Sequence, residues 1–209
     1  MRERKQDRLR QEANSGAIPV FQPVLPTDTR VTSEIGGFSF GMPSGWRELT
    51  QSELSDYQLK TLRRNLLVAT SKLDGRKEWD AFITVDGSSP RGEELLRGRK
   101  AQPFSDEDFY RFAYDWRPKF VASFHKLRVV EGPSRYAMGE ARALWWVTEN
   151  LQPAWATGAY GKELLLRAAR VWTLYRRSLL EIEFSGPADY YEEYIPALLS
   201  VLGTWRWLS

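Results

Sequence analysis

The search for chemistry starts at the single histidine, His125. A Ser-His-Asp triad would need it as the base. It lies between Phe124 and Lys126, near the end of a helical pattern. A cation at the negative end of a helix dipole is the simpler role. Cysteine is absent, which removes disulfides, thiolate ligands and thiol nucleophiles. Neither G-x-x-x-x-G-K-[ST] nor G-x-G-x-x-G occurs, and zinc would need His or Cys clusters that are missing.

Carboxylates are the remaining reactive groups. Asp106, Glu107 and Asp108 could hold a hard cation, and Glu181 and Glu183 share one face of a strand. The first three follow Ser105 at the start of a helical pattern, where acids offset the positive end of the dipole. The glutamate pair reads as a strand's wet face. A glycosidase would need two carboxyl groups held about 5–10 Å apart across a cleft, which spacing along one strand does not provide. The residues therefore point to no catalytic set, no cofactor and no metal, and the chain is expected not to be an enzyme.

Thirty basic and 27 acidic residues are interleaved, giving a net charge of +3, too even for a nucleic-acid protein. The one locally basic stretch holds Arg167, Arg170, Arg176 and Arg177, and reads as a solvated sheet edge. No apolar run of about 18 residues is present to span a membrane. Met1 to Glu12 is charged and has no apolar stretch behind it, so as written it is not a secretory signal. That points to the cytoplasm, or outside it if a leader or anchor has been removed. Pro19, Pro23 and Pro26 mark an extended linker, laid over the domain through Ile18, Val20, Phe21 and Leu25. Residues 1–34 are read as a flexible tail, and 35–209 as one domain.

Within that domain Gly36–Phe40 reads as a strand, followed by a helix over 51–65 and a strand over 66–73. Asp74-Gly75 signals a hairpin leading to a strand in which Trp79, Ala81, Ile83 and Val85 alternate with polar residues. Phe109, Phe112, Ala113, Trp116, Phe120 and Phe124 recur at helical spacing, with Pro118 inside the pattern. Arg128-Val129-Val130 leads to a turn at Gly132-Pro133. The strand over 141–148 carries Trp145 and Trp146 on opposite faces, so both its sides should be covered. Strands at 168–175 and 179–184, a helix through Tyr191 to Leu202 ended by Gly203, and a terminal strand complete the order. The result is an α+β fold: a mainly antiparallel central sheet with helices on both faces.

Several stretches resemble the PsbP-like superfamily, which includes the PsbP, Mog-type, DcrB and Eag chaperone branches. They are Phe38-Ser39-Phe40-Gly41-Met42-Pro43-Ser44-Gly45-Trp46, Phe82-Ile83-Thr84-Val85, Gly139-Glu140-Ala141-Arg142-Ala143, Leu180-Glu181-Ile182-Glu183-Phe184, Tyr194-Ile195-Pro196-Ala197-Leu198-Leu199 and the closing Thr204-Trp205-Arg206-Trp207. The resemblance covers about 35–208. It implies an α/β/α sandwich and non-enzymatic work: docking onto, stabilising or chaperoning another protein.

The aromatic content, 9 Trp, 9 Tyr and 10 Phe, fits either a ring-filled core or a binding surface. Trp155 and Tyr160 stand in a glycine-containing loop that a core does not require, and are the candidate partner contacts. The alternative is a carrier for a small ligand or lipid, with an aromatic pocket around Trp145, Trp146 or Trp172.

Overall fold

The computed structural model of the chain describes residues 18–50, 65–71, 81–87, 126–153, 163–175 and 178–208. Seven strands make the larger sheet. In spatial order they are β3 (Trp46–Glu48), β4 (Asn65–Ser71), β5 (Ala81–Gly87), β9 (Ser178–Pro187), β8 (Leu164–Tyr175), β7 (Ala141–Gln152) and β6 (Leu127–Met138). Every neighbouring pair is antiparallel. A smaller sheet joins β1 (Thr27–Ser33), β2 (Phe38–Pro43) and β10 (Arg206–Trp207), again antiparallel. Among the described residues one helix, α1 (Tyr191–Gly203), follows a short 3-10 turn at Ala188–Tyr190.

This is the α+β, mainly antiparallel architecture that the strand patterns imply. In β5, Ala81, Ile83 and Val85 are buried while Phe82 and Thr84 are half-buried, the period of two expected of a pleated strand. In α1, Tyr191, Tyr194, Ala197, Leu198, Val201 and Leu202 are buried, the spacing of one helical stripe. That stripe and the apolar residues of β2 pack on one face of the large sheet, against Ile83, Val147, Val171, Ile182 and Phe184. Trp205 stacks on Phe38 at 4.4 Å and Phe40 at 5.4 Å, which ties the terminal strand into the same core. Fully burying one such side chain is worth about 1.5–3 kcal/mol. Trp145 and Trp146 are both buried, so β7 is covered on its two sides. The helices expected at 51–65 and 105–124, and the Asp74-Gly75 hairpin, lie outside the described residues.

Two local readings need correction. Gly132-Pro133 does not turn the chain. It is a bulge within the 12-residue strand β6, where the register with β7 shifts between Val129 and Glu131 and again between Glu131 and Ser134. The Gly132–Pro133 peptide is cis and Gly132 has φ 77°. A Cβ at Gly132 would lie 2.5 Å from the Trp145 carbonyl oxygen, so glycine is needed there.

Gly203 ends the helix, as read from the sequence. It is the last residue of α1, and the cap is Thr204 at φ −100°. Its lack of a side chain serves packing: a Cβ there would meet the Pro23 nitrogen and lie 2.6 Å from the Gln22 carbonyl carbon.

Finally, the stretch read as a linker contains a strand, β1, and a strap before it. Phe21 is buried and Leu25 packs on the core, as expected; Ile18 and Val20 are exposed.

Candidate interaction surface

The ladder between β7 and β8 places Trp145 opposite Val171, Val147 opposite Ala169, Glu149 opposite Arg167 and Leu151 opposite Leu165. These pairs share one face because side chains alternate along a strand. Trp145, Val147, Ala169 and Val171 belong to the core. The next residue outward at period two is an acid, Glu149, only 2% exposed. Such a carboxylate must be paired to be tolerated. Arg167 donates to its Oε1 from Nε at 2.9 Å and Nη2 at 2.6 Å. Arg128, on edge strand β6, donates to Oε2 from Nε at 2.7 Å and also through Nη2. Burial pushes the Glu149 carboxyl up, but the hydrogen bonds and charges of Arg167 and Arg128 outweigh it and hold the group below the usual carboxylate range.

Arg167 also reaches Glu192 in the first turn of α1 at 3.4 Å, and its guanidinium lies 5.0 Å from the centre of the Tyr191 ring. Arg167 and Arg170 are therefore not on a solvated edge, while Arg176 and Arg177 lie outside the described residues. Arg167 and Arg170 sit on β8, an interior strand, and both are ion-paired. The signal was in the sequence: an acid continuing the buried stripe of β7 demands a cation at its register partner. Register, however, is a pairing property that one strand's pattern does not carry.

Beyond this charged layer the face becomes apolar again. Leu165 is 38% exposed and Leu151 half-buried. Leu164 and Leu166, also half-buried, flank Leu165 on β8 but belong to the opposite face of the sheet. The Arg128 side chain stays 69% exposed while it holds Glu149. A leucine pair thus lies outside the ion layer, cut off from the core and rimmed by charge. The segment that joins β7 to β8 carries Trp155 and Tyr160; residues 154–162 lie outside the described residues, and the flanking strand ends are Gln152 and Leu164.

The tryptophans of the supposed pocket divide between two faces. Trp146 and Trp172 meet edge-on at 4.2 Å, beside Arg170, which pairs with Glu183 at 3.0 Å and donates to Thr148. Trp145 points the other way, lies 6.0 Å from Phe21, and donates from Nε1 to Glu131 at 2.9 Å. Glu181 and Glu183 do share a strand face, with Asp86 opposite Glu181 and Arg170 opposite Glu183. His125 and Asp106 to Asp108 lie outside the described residues. Among the described residues, no cluster of three or more acids or histidines is placed to hold a metal, and no helix is long and apolar enough to cross a membrane.

No family model and no curated protein sequence matches the chain. Solved structures do. LpqN of Mycobacterium tuberculosis, described as involved in cell envelope biogenesis, aligns at TM-score 0.51 and 12% identity, over 87% of this chain and 90% of its own. The Saccharomyces cerevisiae Ran-binding protein Mog1p aligns at 0.48 and 9%, over 88% and 97%. Cyanobacterial PsbP from Synechocystis sp. PCC 6803 aligns at 0.44 and 12%, over 93% and 97%. The chain spans half the length of a Bacteroides thetaiotaomicron protein that it also matches. These identities speak to fold alone, and the fold is one shared with LpqN.

Proposed function

We propose that this chain is a non-enzymatic protein-binding module, an assembly factor or chaperone for a partner protein, and that the partner docks at the end of the sheet where β7 and β8 meet. The observation that carries the reading is the leucine pair Leu151–Leu165 outside the Glu149 ion layer. Folding gains little from apolar groups left in water, whereas a partner that covers them gains about 25 cal/mol per Å² of apolar surface removed from solvent. An apolar centre with a charged rim is also how protein interfaces are built. Arg128 supplies the rim, with its side chain exposed and its position fixed by Glu149. Trp155 and Tyr160 belong to the segment that springs from the same strand ends, and we assign them to the contact. The buried acid Glu149 and the half-buried Glu183 are committed to arginines, which suits scaffolding better than acid–base chemistry.

The test is affinity capture from a native extract, with the wild-type chain beside a variant carrying Trp155→Ala and Tyr160→Ala. A stoichiometric protein held by the first and lost by the folded second supports the assignment. Equal capture by both would remove the segment from the contact, and a small molecule co-purifying in place of a protein would favour a carrier.

A further inference from the structure

The strap of residues 18–26 is held in a way that a different chain could imitate. Phe21 is its one fully seated side chain, 4% exposed, stacked on Tyr136 at 4.3 Å and 9°, with Trp145 behind at 6.0 Å. Val20 and Val24 project into solvent. Leu25 packs half-buried against the core, and the rest of the strap's grip is made by its backbone or by prolines. Val20 forms a parallel bridge to Ala137 on the edge of β6, and the Ala137 N–H donates to the Pro19 carbonyl at 2.8 Å. The N–H groups of Val24 and Leu25 both donate to Ser200 Oγ, at 2.9 and 2.6 Å, and the Ser200 hydroxyl donates to the Pro196 carbonyl. Gln22 and Pro23 cross α1 at Gly203, where no side chain fits. Pro26 accepts from the Ser44 N–H at 3.2 Å.

We infer that the cleft between β6 and α1 is a peptide-binding groove, occupied in cis by the chain's own strap, and that its external ligand is an extended segment of a partner protein with an aromatic ring between two prolines, as in Pro19-x-Phe21-x-Pro23. The inference rests on the protein-binding reading and adds a second, specific docking element to it. Backbone pairing with a sheet edge reads any extended chain. The Tyr136–Trp145 seat selects a flat ring, the Gly203 crossing demands a narrow backbone, and prolines supply a pre-extended one at low entropic cost. Because the strap competes within the molecule, the groove is closed until the strap is displaced, and a ligand's apparent affinity falls by the fraction of closed molecules.

A labelled peptide of residues 18–27 is titrated into the full-length wild-type chain and into Phe21→Ala, with fluorescence anisotropy as readout and near-UV circular dichroism to establish folding. Phe21→Leu serves as a milder second variant. The expected result is binding to Phe21→Ala about tenfold or more tighter than to wild type, lost when the phenylalanine of the peptide is replaced by alanine. Binding must also vanish in the double variant Phe21→Ala/Gly203→Ala, since a Cβ at 203 blocks the path. No binding to either folded variant, or equal binding with and without the peptide's phenylalanine, overturns the inference. A wild-type dimer that Phe21→Ala turns into a monomer would give the seat to a second copy and overturn the assignment to a partner. Failure here leaves the β7–β8 contact standing, since none of these substitutions touches Leu151 or Leu165.

Discussion

Leu151 and Leu165 face one another across β7 and β8, just outside the Glu149–Arg167 ion pair. On the inner side of that pair the same face is core. The position of a substitution relative to this layer should set its cost. Leu165→Ala is expected to lower stability by less than about 1 kcal/mol, as for a half-exposed cross-strand pair. Val147→Ala, inside the layer, is expected to cost about 2 kcal/mol through the cavity it leaves. Urea denaturation of both variants checks the difference.

Glu149→Gln keeps the shape of the ion layer and removes its charge. Loss of charge-assisted bonds to two arginines is expected to cost about 2 kcal/mol at neutral pH. The pH dependence has a definite sign. A carboxyl held below its ordinary value of 4.5 stabilises the fold above the unfolded value, and loses that contribution as the pH falls through the lower folded value. Wild type and variant should therefore converge in stability as the solution is acidified into that range, in denaturant titrations at stepped pH. A constant gap would mean that the carboxylate's charge does not act.

Ser200→Ala removes the acceptor shared by the Val24 and Leu25 N–H groups. Leaving such donors unpaired costs about 1–3 kcal/mol. The loss should be local to the strap: faster amide exchange at residues 24 and 25, with core strand β8 unchanged in protection.

Gly203→Ala sets two effects against each other. Within a helix the change ordinarily gains about 1 kcal/mol. Here the new Cβ collides with the strap backbone at Gln22 and Pro23, and overpacking typically costs about 1–3 kcal/mol. Collision against backbone should win, giving net destabilisation and proteolytic cleavage within 18–26. A more stable protein with a protected strap would contradict the crossing geometry.

The fold was legible where one strand or helix carries its own pattern. Ala81, Ile83 and Val85 alternate, Trp145 and Trp146 demand cover on two sides, and Tyr191, Tyr194, Leu198 and Leu202 mark a stripe; each is seen. What could not be read depends on a second element. Gly132-Pro133 looks like a turn because a turn and a bulge use the same residues; only the continuation of β6 alongside β7 tells them apart. Arg167 looks like a surface cation until register brings Glu149 opposite. Gly203 reads as a helix terminator, which it is, but its second role is hidden because the strap it admits is about 180 residues away in sequence. The leucine pair of the candidate surface was hidden for the same reason: Leu151 and Leu165 become neighbours only through the ladder.

The most direct measurement places the photoreactive residue p-benzoylphenylalanine at position 165 in one full-length chain and at position 35 in another, and irradiates each in native extract. Ile35 is the control because it is 94% exposed, so it is more accessible than Leu165. Docking at the β7–β8 end predicts a discrete protein adduct from position 165 and none from position 35. An adduct from position 35 alone, or from neither, would contradict it.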